Sequence, residues 1–333
     1  MKFNKVFIEK NVAELPIVNS ILAHLPETQQ VEIERYDDFF GVVRKPYLEK
    51  RHDLNLFLAE KTGAVIRSTP AAYGESNGQH FYFTHSYNCI FECEYCYLQN
   101  SFKSPDIVLF VNHDYIIREI ESTIAKFPNE KTWFHAGEYS DSLALSSLSK
   151  EWGKYIEFFR GQENSVLELR TKSIMISSLL EYKPHSNVIV SFSISPDTIS
   201  EKIDRRTPPL KARIKAMKKL MNHGYKIGLH LDPIVFDEQL SEKYQKLAEI
   251  IKENLGTDFS YISFGVVRFP SHLYREVSKN YPDSVIHSQP FIKAKDGMRR
   301  YPLAIRNRML SSAERAFSQT GFKPEIFYRC MES

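Results

Sequence analysis

Three of the chain's four cysteines fall within eight positions of "YNCIFECEYCYLQN" (Tyr87–Asn100), spaced Cys89-x3-Cys93-x2-Cys96. Thiols so close together cannot form a disulfide framework. They fit a reducing compartment and a metal or cluster site. Structural zinc takes four protein ligands, commonly as two Cys-x2-Cys or Cys-x2-His pairs. Cys93 and Cys96 make one such pair, and His85 is the near residue that would complete a Cys3His set. A 4Fe-4S cluster takes one thiolate per iron, so three thiolates leave one iron open to an outside ligand. Other residues able to do chemistry follow at intervals: "GEYSDS" (137–142), Lys172, Ser193, Ser195 and Asp232-Pro233.

These residues stand at the ends of short runs rich in Val, Ile, Phe and Tyr, the composition of strands. The runs are "HFYFTHSY" (80–87), "KTWFHAGE" (131–138), "SVLELRTKS" (165–173), "NVIVSFSIS" (187–195), "GYKIGLHLDPI" (224–234) and "DFSYISFGVV" (258–267). Longer segments with helical spacing lie between most of them. In "PPLKARIKAMKKLMNHG" (208–224), Leu210, Ile214, Met217, Leu220 and Met221 share one face and Gly224 supplies the stop. "SEKYQKLAEIIKENLG" (241–256) ends the same way at Gly256. Strand–helix alternation predicts an α/β fold of parallel strands with right-handed crossovers. A doubly wound sheet and a barrel both satisfy the pattern. Chemistry-bearing residues gathered at strand ends favour the barrel. Residues 1–79 read as an N-terminal extension packed on it, and 80–333 as the barrel with a C-terminal segment.

Apolar residues make up 42% of the 333 positions, enough for a substantial core. The first residues, "MKFNKVFIEKNVAELP", contain no long apolar region, and charges interrupt every apolar run short of a membrane span. The expectation is a cytoplasmic protein with no membrane partner. A net charge of +3 permits a polyanionic partner without requiring one. The locally basic stretches Lys211–Leu220 and Lys293–Met309 read first as solvated helix faces.

The spacing of the three cysteines, with Tyr95 before the third, resembles the radical SAM superfamily. "CEYCYLQN", "VLFVNHD", "SFSIS", "RIKAMKKLMNHGYKIGL", "VVRF" and the N-terminal "IEKNVAELPIVNSIL" are similar to spore photoproduct lyase and its homologues. The resemblance implies a partial (β/α)6 barrel of TIM type with a 4Fe-4S cluster on Cys89, Cys93 and Cys96. It implies S-adenosylmethionine on the open iron, cleaved reductively to a 5′-deoxyadenosyl radical that abstracts hydrogen from substrate. By position, Tyr95, Ser140, Asp141, Lys172 and Ser193 line the S-adenosylmethionine site. Tyr95 and Tyr97 take part in radical relay, and Arg268 matches an arginine on a hairpin that enters damaged DNA. A flavodoxin- or ferredoxin-type electron donor and a DNA, RNA or nucleotide substrate follow from the same likeness.

One position departs from that family. The lyase carries a hydrogen-donating cysteine after its second strand, where this chain reads "HAGEYSDS" with Glu138. A carboxylic O–H is too strong a bond to stand in for a thiol as hydrogen-atom donor, so the same repair reaction is not expected. "AGE" resembles the "GGE" run of many radical SAM enzymes, which implies that Glu138 accepts from the amino group of S-adenosylmethionine. Cys330, Tyr97 and Tyr139 are the alternative donors. A third route, with the cofactor regenerated or the product left oxidised, needs none. Modification of a peptide or small metabolite, and a non-catalytic nucleic-acid-binding protein with a structural metal, are the competing readings.

Overall fold

In a computed structural model of the chain, residues 2–41, 47–70, 73, 78–102, 104–295 and 297–332 are described. Six parallel strands form the main sheet in chain order: Gln79–Phe83, Thr132–Ala136, Ser165–Thr171, Val188–Ser193, Lys226–Ile234 and Ile262–Val266. Every residue of the second, fourth and sixth of these is buried, as expected of parallel strands covered on both faces. Ile66–Ser68 pairs antiparallel along the first strand, and Phe327–Arg329 pairs parallel along the sixth. The sheet curls, because Trp133 of the second strand meets Tyr261, at the foot of the sixth, with ring centres 6.4 Å apart. Its two edge strands do not pair with each other, so the barrel is partial.

The helices end where their glycines allow. Leu210–His223 stops at Gly224 (φ 106°), whose N–H donates to the Leu220 and Met221 carbonyls. Leu240–Leu255 stops at Gly256 (φ 80°). Leu210, Ile214, Met217 and Leu220 are buried on the face that the spacing predicts. Lys211, Lys215, Lys218 and Lys219 are exposed, whereas Arg213 in the same basic stretch is buried. In the second basic stretch Arg300 and Arg306 are also buried, Arg306 against the Glu332 carboxylate. Asp296 of that stretch lies outside the described residues.

A second sheet runs Gln29–Ile33, Lys5–Glu9, Leu56–Ala59, Ile107–Phe110 and Ser86–Tyr87, so two of its five strands come from beyond residue 79. The run 80–87, expected as one strand, is split between the two sheets at Thr84–His85. The cysteine loop leaves from this crossing and returns at Ile107, suspended between the sheets.

Buried histidines make the fold sensitive to acid. Burial holds His85 and His113 down at about 3 and His230 at about 4, whereas in an unfolded chain they titrate near 6.5. Glu151 acts in the opposite sense, because burial raises its carboxyl to about 7 and the folded chain keeps that proton. Near pH 5 unfolding therefore takes up about two protons net, three on histidine less one from Glu151. Stability should fall by about 2.4 kcal/mol as pH drops from 6 to 5. Urea midpoints at pH 7, 6 and 5 measure this, and a flat series would show that these side chains titrate normally in the fold.

Candidate active site

A cavity of about 190 Å³ opens at the C-terminal ends of the barrel strands. Cys89, Cys93, Cys96, Tyr95 and Tyr97 line it from the cysteine loop. Glu138, Ser140 and Asp141 follow the second strand, Lys172 follows the third, and Ser193 ends the fourth. Thus ten side chains singled out in the sequence share one chamber.

Among the described residues, no three His, Cys, Asp or Glu side chains are grouped to hold a single metal ion. The three thiols border the cavity together, and a multi-iron cluster would take each thiolate on an iron of its own. The zinc alternative with His85 as fourth ligand is corrected by the same geometry. His85 Nε2 lies 3.1 Å from the Ser140 hydroxyl and Nδ1 lies 3.7 Å from Glu151, with Trp152 packed edge-on against the ring. Burial raises all three thiols, Cys93 to about 12, while Lys172 and Arg213 pull Cys93 back toward the thiolate. Arg51 and Lys172 do the same for Cys96. The donor set fits a cluster bound as thiolates, with protons released on loading.

The strand pair Glu92–Cys93 and Asp204–Arg205 sets the back of the cysteine loop, with Asp204 opposite Cys93. Asp204 is the hub of the site. It accepts from the Tyr95 hydroxyl, from Ser200 Oγ at 3.1 Å and from both terminal nitrogens of Arg213 at 3.2 Å. Lys172 Nζ stands 4.0 Å from it and 5.0 Å from the centre of the Tyr95 ring. Burial opposes the charge, yet Lys172 and Arg213 hold the Asp204 carboxyl below its ordinary value. Burial likewise works against the Lys172 ammonium, but Asp204 keeps it charged.

Asp141 is occupied on both oxygens. Oδ1 accepts from the Thr171 hydroxyl at 2.6 Å and the Leu143 N–H at 3.0 Å, and Oδ2 from the Lys172 N–H at 2.6 Å. It ties the loop after the second strand to the end of the third and so aims Lys172. Glu138 accepts from the Tyr73 hydroxyl at 3.4 Å. Tyr73 also lines the cavity, its ring 5.1 Å from the Arg170 guanidinium. Tyr97 is 38% exposed at the rim. Tyr139 packs instead against Tyr82, Tyr87 and Phe102, outside the lining.

Two candidates lie elsewhere. Arg268 is in a small three-stranded sheet, opposite Arg300, but its guanidinium turns inward onto Asp232 at 3.1 and 3.3 Å. Its charge is paired with Asp232 inside the barrel, where the resemblance implied an arginine on a hairpin that enters damaged DNA. Gly265 makes room for that pair, since a Cβ there would sit 2.6 Å from the Asp232 carboxylate. Cys330 is buried beside the pair, its sulfur 3.9 Å from Arg268 Nη2, and is not part of the cavity lining. Cys330, one of the alternative donors, therefore lies outside the chamber that the cluster cysteines border.

Below the cavity, Glu168 accepts from Ser191 Oγ at 2.6 Å and lies 2.8 Å from His230 Nε2. Tyr261 donates to it as well, and His135 bonds to its other oxygen. Burial disfavours this charge too, but Arg170 and the two histidines hold the carboxyl well below its usual range.

Comparison with known proteins places these observations. The family model described as spore photoproduct lyase matches residues 2–301. The spore photoproduct lyase of Clostridium acetobutylicum is 26% identical over 287 residues, covering 85% of this chain and 83% of that one. The Bacillus subtilis enzyme of the same name is 31% identical over 198 residues, 58% of each chain. A solved spore photoproduct lyase complexed with dinucleoside spore photoproduct superposes with a TM-score of 0.85 at 21% identity, covering 98% of this chain and 99% of that one. A mutant of a spore photoproduct lyase with AdoMet and the dinucleoside bound gives 0.85 at 20% identity, covering 100% and 99%. The cysteine loop, the partial barrel and a family match over most of the length agree: the chain belongs to the spore photoproduct lyase family and is a radical SAM enzyme whose cofactors are a 4Fe-4S cluster and S-adenosylmethionine.

Proposed function

We propose that the protein carries out a radical reaction on a DNA lesion of the spore photoproduct kind, and that it ends the reaction differently from the lyases. The observation that carries this reading is the shared cavity, where three thiols meet charged and hydroxyl side chains suited to a zwitterionic cofactor. The cluster and cofactor supply the one-electron reductive chemistry when bound. Glu138 would accept from the cofactor's ammonium, and Ser140 and Ser193 would hold its polar groups. Lys172, fixed by Asp204 and Asp141, supplies positive charge to the wall shared with Cys93. Tyr95 is immobilised by Asp204, and Tyr97 stands at the rim where substrate enters. A flavodoxin- or ferredoxin-type protein is the electron donor in this reading.

The different ending rests on the lining. Among the described residues the only thiols bordering the cavity are the three cluster cysteines, and Glu138 replaces the donor. Tyr97, whose ring lines the chamber, is the hydrogen source in our reading: its O–H gives a hydrogen atom to the product radical, and the tyrosyl radical left behind takes one electron from the electron-donor protein and one proton from solvent.

The test is deuterium tracing with anaerobically reconstituted protein, reductant, S-adenosylmethionine and perdeuterated dinucleoside spore photoproduct. Deuterium in 5′-deoxyadenosine is expected, together with one solvent hydrogen in the product of the native protein and loss of that hydrogen in Tyr97→Phe. Cofactor cleavage without deuterium transfer would reject the lesion and point to a peptide or small metabolite. Salt-dependent retention of lesion-bearing DNA is the accompanying binding measurement.

A further inference from the structure

The residue that holds the cysteine loop from outside comes from the N-terminal segment and has no motif. Arg51 follows the short helix Tyr47–Lys50 and is 2% exposed. Its Nη1 donates to the Cys89 carbonyl at 2.6 Å and its Nη2 to the Phe91 carbonyl at 2.6 Å. The fork therefore grips the peptide of one cluster ligand and the residue midway to the next. Nε is buried with no hydrogen-bond partner, and among the described residues no carboxylate forms an ion pair with this guanidinium. A buried cation without a counter-ion is costly, and guanidinium does not lose its proton to escape that cost. The cation faces a loop whose three thiols become thiolates when iron binds.

Arg51 is itself held. Arg206 Nη1 donates to the Arg51 carbonyl at 2.9 Å, and Arg206 Nη2 lies 3.1 Å from His52 Nδ1. Arg206 Nε also pairs with Glu92 at 3.1 Å, next to Cys93. The clamp thus connects the N-terminal segment, the cysteine loop and the strand Asp204–Arg205.

We propose that Arg51 is a positioning residue that supplies the counter-charge of the cluster. Its fork fixes the Cys89–Phe91 backbone for loading, and its charge favours the reduced cluster. Net charge and hydrogen bonding around a cluster set its potential, so a fixed cation at the ligand backbone raises it. A structural clamp alone would affect loading and leave the potential unmoved.

The test uses full-length Arg51→Gln and Arg51→Lys, reconstituted anaerobically without substrate. Iron per chain, loss of iron to a chelator and the midpoint potential are read. Arg51→Gln is expected to shift the oxidised-to-reduced ratio at least tenfold toward oxidised at a given applied potential, 59 mV for one electron. Arg51→Lys, which keeps the charge and loses the fork, is expected to stay within threefold of the native ratio but to surrender iron several times faster. Arg51→Gln with native potential and full iron would overturn the proposal. If Arg51→Gln does not fold, Arg51→Lys decides: native potential with faster iron loss supports the clamp, and native iron retention overturns it. These readouts do not depend on which substrate the enzyme takes.

Discussion

Replacing Asp204 with alanine is expected to destabilise the fold by about 3–5 kcal/mol, the range for removing one partner of a buried ion pair. The loss leaves Arg213, 1% exposed, and Lys172 without their shared carboxylate. The Tyr95 hydroxyl loses its acceptor at the same time. Urea unfolding under anaerobic conditions measures the effect as a lower midpoint at nearly constant slope. Asp204→Asn keeps the shape and an acceptor for Tyr95, so it should lose less stability while still releasing Lys172. Tyr95→Phe removes one hydrogen bond to the charged carboxylate and should cost about 1.5–3 kcal/mol. An Asp204→Ala midpoint equal to that of Tyr95→Phe would show that the ion pairs contribute nothing and that the hub is a packing contact.

The second large effect concerns the cofactor. If Glu138 accepts from the ammonium of S-adenosylmethionine, Glu138→Gln removes a charge-assisted hydrogen bond worth about 1.5–3 kcal/mol, roughly 10- to 150-fold in affinity. Iron content should not change, because among the described residues Glu138 hydrogen-bonds to Tyr73 and to no residue of the cysteine loop. Equilibrium dialysis of the cofactor against the reconstituted protein separates the two quantities. Unchanged affinity would assign the carboxylate to substrate or to Tyr73 instead. Glu138→Cys adds a thiol where the lyases carry one and is expected to make hydrogen return independent of Tyr97.

Much of this was legible because it obeys a period or a spacing. The six parallel strands and the glycine-stopped helices follow from local pattern, and the cysteine loop is conspicuous by composition. The hubs were not legible, for identifiable reasons. Asp204 sits in "EKIDRRTPP", where an acid beside two arginines reads as solvated. Its importance comes from pairing with Cys93, more than a hundred residues away. Arg51 bonds to backbone carbonyls, which every residue has, so no partner type betrays it. Glu168 did leave a signal: in "VLELRTK" it alternates with Arg170 and Lys172, and the period of a strand places all three on one face. Arg268 was drawn to the site by positional likeness and Cys330 as the one thiol outside the cysteine loop, whereas in the fold Arg268 turns inward onto Asp232.

The hairpin geometry at the base of the cysteine loop has a thermodynamic consequence. Ser86 pairs with Leu109 and Tyr87 with Val108, so both ends of the loop are pinned within the second sheet. Loop-closure entropy is met by those strand pairs before any iron arrives. A zinc finger, by contrast, must use metal binding to fold its chain. Here the loop is tethered at its stems by strand pairing that involves no cysteine, so closing it does not depend on the cluster.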